Sequence, residues 1–169
     1  MLIRRLMAQR ASIERAGGLV ASLKGPAILL GFGDGAALDH LCEIARKRGV
    51  ILFDKGPIAD GKVPPAAERI EGDPRETLPL HWERLKRSAV LALINFPITD
   101  EARLAAEVAP LVAPLLRPGA VVVSEIAVEL PGWERLPPPD GVHEGRHHLY
   151  RASIGATTQP EPAQSRITT

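Results

Sequence analysis

The stretch that most narrows the folds open to this chain is Ala27-Ile28-Leu29-Leu30-Gly31-Phe32-Gly33-Asp34-Gly35-Ala36, followed one helix length later by Gly49-Val50-Ile51-Leu52-Phe53-Asp54. An apolar run entering a glycine-rich turn reads as a short strand buried on both faces, and the second segment reads as another strand ending in a carboxylate. Between them Leu38, Leu41, Cys42 and Ala45 recur at helical spacing, and Gly49 follows as a stop. Strand, turn, helix and strand in that order are the layout of a Rossmann-type α/β unit. Glycine at 31, 33 and 35 lets the backbone bend sharply and approach a ligand, and the amino end of the next helix offers unpaired N–H groups to it. Asp54 stands 23 positions after Gly31. That is close to the roughly 20 at which a carboxylate accepts hydrogen bonds from the ribose hydroxyls of an adenosine-bearing cofactor.

The same alternation continues along the chain. An opening helix packs Leu2, Leu6 and Ile13 and ends at Gly17-Gly18, within an amino-terminal helical segment over 1–24. Strands are expected at 26–31, 50–54 and 69–73, at 88–95 and at 120–125, with helices over 35–48, 75–87 and 99–116. Pro110 and Pro114 should kink or divide the last helix, and Pro118-Gly119 should turn the chain into the fifth strand. Residues 55–67 and 130–145 are rich in proline and glycine and read as loops, and 146–152 as a last strand, antiparallel at the sheet edge. The expected fold is a three-layer α/β sandwich, one domain over 1–154, with a polar tail at 155–169 expected to be disordered.

Composition removes several classes. Twenty-one Lys and Arg balance 20 Asp and Glu, and aromatic residues make up 4%. The chain therefore lacks the basic field and the stacking rings of a nucleic-acid binder. The single Cys42 excludes an intramolecular disulfide, and no Cys/His set has zinc spacing, so no metal is expected. No apolar run is long enough to cross a membrane and no signal-peptide core follows the basic start, which makes the expected location cytoplasmic. Residues 2–10 also fit a basic amphipathic membrane helix or a transit peptide, but the pattern runs on without a cleavage-like break.

An ordered series of short motifs carries a resemblance. Arg5-Leu6-x-x-Gln9-Arg10, Gly31-Phe32-Gly33-Asp34-Gly35, Asp39-His40-Leu41, Phe53-Asp54-Lys55, Gly72-Asp73-x-x-Glu76-Thr77-Leu78-Pro79 and Gly145-Arg146-x-x-x-Tyr150-Arg151 together resemble a small bacterial family of class I S-adenosyl-L-methionine (SAM) methyltransferases. The resemblance implies a minimal cofactor domain in which Gly31, Phe32, Gly33, Asp34 and Gly35 bend around the methionine part of SAM. It implies that Asp54, with Lys55 beside it, holds the ribose, that Asp73 bonds the adenine amino group while Gly72 gives the ring room, and that Asn95 lies beside the methyl group. Such enzymes usually carry an acid two positions before the first glycine to pair with the methionine ammonium. Here that position is Leu29. Losing that charge-assisted hydrogen bond costs on the order of 1.5–3 kcal/mol, and Asp34 inside the turn is the one nearby substitute.

No residue announces itself as a catalyst. On the helix after the glycine turn, His40 falls opposite the apolar stripe and Asp39 at its edge, a surface or subunit-contact placement. His147 and His148 would point to opposite faces of a strand, and His143 lies in a proline-rich loop, so the three do not make a metal site. Asn95-Phe96-Pro97 shares its asparagine and proline with the signature of amino-group methyltransferases but lacks the first proline and the terminal aromatic. Asn95 is read equally as a strand end and as a cofactor contact. The expected activity is SAM-dependent methyl transfer to an unidentified small acceptor, with specificity supplied by the first helix, residues 55–66, the loop at 126–145 or a neighbouring copy in a homo-oligomer. Two rivals stay open: an NAD-dependent enzyme, since Gly31-x-Gly33-x-x-Ala36 also meets the looser dinucleotide fingerprint, and a non-catalytic metabolite- or partner-binding protein on a worn methyltransferase scaffold.

Overall fold

Fully buried strands set the architecture. β1 (Ala27–Leu30) and β4 (Ala89–Ile94) are buried at every residue, and β2 (Val50–Asp54) at all but its last. Such runs belong in the middle of a parallel sheet covered on both faces. The computed structural model describes residues 2–45, 48–96, 101–128, 130–142 and 147–152. With β3 (Ala67–Glu71), β5 (Leu116–Ser124), β6 (Trp133–Leu136) and β7 (His148–Ala152) these strands form one seven-stranded sheet in the order β3-β2-β1-β4-β5-β7-β6. β1 to β5 are parallel to one another, and β7 runs antiparallel to both β5 and β6.

Helices cover both faces. α1 (Leu2–Leu19) and α2 (Ala36–Ala45) lie on one side, where Ile13, Ala16, Leu38 and Leu41 pack on Ala27 and Leu29. α3 (Pro74–Leu80), α4 (Trp82–Leu85) and α5 (Glu101–Val112) lie on the other, where Leu78, Leu85 and Val108 pack on Ile28, Leu30 and Phe53. The expected three-layer α/β fold is thus observed. From β1 the chain builds outward through β2 to β3, then returns to place β4 on the other flank of β1. That reversal opens a crevice at the carboxyl ends of β1 and β4, the place where open α/β sheets bind ligands.

Several local expectations are corrected. α1 does not end at Gly17-Gly18 but runs to Leu19. Gly17 is a contact point, since a Cβ there would lie 2.4 Å from Ile44 Cγ2 of α2. The end of α1 is held instead by Arg48, whose guanidinium donates to the carbonyls of Val20 and Ala21 at 2.9 Å and to that of Leu23, a cation on the negative end of the helix. The helix expected over 75–87 is two short ones, because Pro79 withdraws a donor and His81 takes the bridge conformation (φ −102°, ψ 10°) between them. α5 passes through Pro110 unbroken; Pro110 and Ala106, whose carbonyl loses its donor, are both exposed, so water can satisfy that oxygen.

Pro118-Gly119 does not precede β5 but lies within it, as an irregularity between the pairs Ala89↔Leu116 and Leu91↔Val121. The loop expected over 130–145 contains β6, whose half-exposed Trp133-Glu134-Arg135-Leu136 forms the true edge of the sheet. β7 is antiparallel as expected but interior, because Leu149 and Tyr150 are buried on opposite faces. The calls on 99–100, His143, the Gly145-Arg146 pair and the tail at 155–169 fall outside the described residues.

Candidate functional site

Strand register brings the candidate residues to one edge. Leu30 pairs with Phe53 on one side and Ile94 on the other, and Asp54 pairs with Glu71. Gly31, Asp54, Gly72 and Asn95 therefore leave the sheet side by side. Backbone bonds hold the four exits together: Gly31 N–H donates to Phe53 O (3.0 Å), Asn95 N–H to Leu30 O (2.8 Å) and Gly72 N–H to Asp54 O (3.1 Å).

The first exit is the tightest. Gly31 has φ 94°, and a Cβ on it would stand 2.2 Å from Asn95 O, so only glycine fits. Gly33 (φ 58°) has the Asn95 amide nitrogen 3.2 Å from where its Cβ would be, and the Phe32 ring lies against Gly35. Asp34 is exposed, and its Oδ1 accepts from Ala36 N–H at 2.9 Å at the start of α2.

Asp54 ties two loops together. Its Oδ2 accepts from Phe32 N–H at 2.7 Å and its Oδ1 from Gly56 N–H at 2.6 Å. Each oxygen keeps a lone pair for a further donor, and Lys55 beside it is exposed. Asp73 is used otherwise. It caps α3 by accepting from Arg75 N–H at 2.9 Å, and Arg75 Nη2 reaches its Oδ2 at 2.6 Å. That guanidinium, hydrogen-bonded to it first of all, holds the Asp73 carboxyl below the usual range. Gly72, at φ 137°, has Thr77 Cγ2 2.7 Å from its missing Cβ.

Leu29, where an acid would meet an ammonium, is fully buried under α1 and α2. A carboxylate there would enter an apolar layer, and Asp34, the substitute named above, is engaged with α2. The residues thus fit the ribose and glycine-turn parts of an adenosyl cofactor, while at its amino-acid end the turn offers backbone oxygens and Asp34, one of whose oxygens is taken by Ala36 N–H.

Two side chains of α1 reach the same edge, and sequence reasoning gave them no role. Arg5 forms a two-pronged ion pair with Glu125, at 2.5 and 2.6 Å, just past β5. Gln9 Nε2 donates to Asn95 Oδ1 at 3.0 Å, and Asn95 Nδ2 donates to Gly31 O at 3.2 Å. The available signal was their separation of one helical turn. On a neighbouring flank of α1, Arg4, Met7, Ala8 and Ala11 face Asp140, Gly141 and Val142 across a cleft of about 550 Å³.

His147 and His148 are both buried. Arg135 Nη2 sits 3.1 Å from His148 Nδ1; a guanidinium only donates, so Nδ1 accepts and the ring proton is on Nε2. Burial, then the Arg135 charge, push this histidine below its ordinary value. Asp39 is exposed and His40 half-exposed, matching the surface placement read from the helix. Among the described residues no group of three or more His, Cys, Asp or Glu is placed to hold a metal ion, and no helix is long and apolar enough to cross a membrane.

Comparison with known proteins fits this geometry. The model of an S-adenosyl-L-methionine methyltransferase family matches residues 1–152. No curated protein matches the chain at a significant level. The crystal structure of an S-adenosyl-L-methionine methyl transferase from Silicibacter pomeroyi DSS-3 is 34% identical, with a TM-score of 0.83 over 90% of this chain and 96% of that one. The antibiotic-resistance methyltransferase Kmr shares the fold alone, at 18% identity and TM-score 0.54 over 86% and 93% of the two chains. So does the mycinamycin-pathway methyltransferase MycE, solved with Mg and S-adenosylhomocysteine (SAH), at 13% identity and TM-score 0.55 over 79% and 46%. The chain belongs to the S-adenosyl-L-methionine methyltransferase family: it has the class I architecture, and its cofactor is SAM.

Proposed function

We propose that SAM lies across the carboxyl edge of β1, β2, β3 and β4, and that a small acceptor approaches from the side of α1. Gly31, Phe32, Gly33, Asp34 and Gly35 surround the amino-acid end, Asp54 with Lys55 beside it takes the ribose hydroxyls, Gly72 and Asp73 flank the adenine, and Asn95 borders the methyl group. The observation that carries this is Asp54, a half-buried carboxylate bonded to Phe32 N–H and Gly56 N–H with a lone pair left on each oxygen. Asp73 is a weaker holder, because Arg75 already occupies its carboxylate.

When bound, the cofactor supplies an activated methyl group, and transfer is an in-line displacement at carbon. The chain's task is to position the two reactants and exclude water. His148 carries its proton on Nε2 and Glu125 is paired with Arg5. Neither acts as a base, so the reading favours an acceptor whose proton leaves to solvent. The cleft between α1 and Asp140–Val142 is of ordinary size for a small-molecule site. With one cysteine and balanced charge, we take the protein to work in the cytoplasm on a small molecule.

Calorimetric titration with SAM, SAH and NAD tests the reading. Micromolar binding of the first two, none of NAD, and loss in Asp54→Ala are expected. Preferential binding of NAD would establish the dinucleotide rival. No binding of any adenosyl ligand by folded protein would leave a scaffold without its cofactor.

A further inference from the structure

We propose that Gln9 is a positioning residue for the amino-acid end of the cofactor, acting through Asn95 on the Gly31 carbonyl. The inference rests on the cofactor placement above and adds to it a role for the Arg5-x-x-x-Gln9 pair, which that placement leaves unused.

Arg5 and Gln9 lie one turn apart on α1, and each grips the first residue beyond a strand. Arg5 holds Glu125 after β5, and Gln9 holds Asn95 after β4. The helix is latched across the crevice at two points. The second latch continues inward, from Gln9 Nε2–H to Asn95 Oδ1, then from Asn95 Nδ2–H to Gly31 O. The direction of this chain is fixed by its inner end: a carbonyl accepts only, so Asn95 presents its NH2 to Gly31 and its oxygen to Gln9.

The consequence follows from Leu29. A cofactor ammonium placed at this turn finds no carboxylate at position 29, and Asp34 has one oxygen on Ala36 N–H, so the neutral oxygens of the turn share in holding it. Gly31 O retains a second lone pair. The peptide that carries it is held by Asn95, whose amide is held by Gln9. Removing the Gln9 donor frees the Asn95 amide to rotate and loosens that acceptor, without touching the ribose or adenine contacts.

The expected signature is selective. In Gln9→Met, which keeps length and helix propensity but removes the donor, SAH binding weakens about three- to tenfold, the range for one lost hydrogen bond. Binding of 5′-methylthioadenosine, which lacks the amino-acid end, is unchanged. Gln9→Glu keeps the shape, removes the donor and gives the same selective loss, so the test survives if either variant fails to fold; melting curves of both report folding. Asp54→Ala, measured alongside, weakens both ligands. Unchanged SAH affinity in the Gln9 variants, with Asp54→Ala still defective, overturns the inference and leaves the cofactor placement standing. Equal weakening of both ligands also overturns it, since that marks general loosening. An Asp54→Ala without effect overturns the placement and the inference together. If methylthioadenosine fails to bind even the unaltered protein, the amino-acid end carries the affinity, and the SAH result alone decides.

Discussion

Two glycine–aspartate pairs at neighbouring strand ends are used in opposite ways. Gly31 follows β1 and Asp54 ends β2; Gly72 and Asp73 follow β3. The first aspartate is half-buried and accepts from the backbone N–H groups of Phe32 and Gly56, which leaves each of its oxygens a lone pair. The second caps α3 and is gripped by Arg75, which also reaches Glu107 at 2.9 Å. The first glycine is pressed against backbone, the second against the Thr77 methyl group. A carboxylate at a strand end is thus a candidate ligand holder only where the surrounding protein has left part of it unused.

That contrast can be broken or sharpened in four ways. Asp54→Asn should have the largest effect on ligand affinity, weakening SAH binding by about 30- to 100-fold, since a charged acceptor of two backbone donors becomes a neutral amide that must turn one NH2 toward them. Calorimetry reads this directly. Gly31→Ala comes next. Its methyl would meet Asn95 O at 2.2 Å at a positive φ, and a loss of about 3 kcal/mol in urea unfolding is expected. Gly72→Ala meets only a side-chain carbon at 2.7 Å and should lose about 1–2 kcal/mol. Asp73→Asn keeps the helix cap and should change SAH affinity by less than about threefold. An effect as large as that of Asp54→Asn would erase the distinction between the two ends.

The smallest effect is one of pH. Arg75 hydrogen-bonds to both Asp73 and Glu107 and lowers both carboxyls from their ordinary values. A lowered carboxyl stabilises the fold above its unfolded value, near pH 4, and that stabilisation is lost as pH falls through the lower folded value. Arg75→Met should therefore melt about 2 °C below the unaltered protein at neutral pH, with the gap closing as pH falls below the ordinary carboxylate range. Arg75 is exposed and the two carboxylates are half-exposed, so added salt should close it as well.

The parts of the fold that were legible in the sequence are those whose physics is local or binary. β1, β2 and β4 are buried on both faces, so each appears as an unbroken apolar run, and the glycine turn and Asp54 follow from their ends. β6 was hidden because a short, half-exposed edge strand containing Glu134 and Arg135 has neither an apolar run nor clear alternation. Gly17-Gly18 looked like a helix stop because the close approach of Ile44, which makes glycine necessary at 17, is a tertiary fact. Pro118-Gly119 looked like a turn for the same reason: an irregularity inside a strand is defined by the partner strand. At the site, residue types and order were readable, but not the partners that decide their use. Arg75 and Asp73 are only two positions apart, but nothing local shows that Gln9 reaches Asn95 across 86 positions of chain.

The measurement that bears most directly on the central claim is a crystal structure of the protein grown with SAH. The expected result places the ribose hydroxyls on the Asp54 carboxylate and the amino-acid end at the Gly31 carbonyl, with Gln9 still donating to Asn95. An adenosyl group bound with its ribose away from Asp54, or seated in the cleft between α1 and Asp140–Val142, would contradict it.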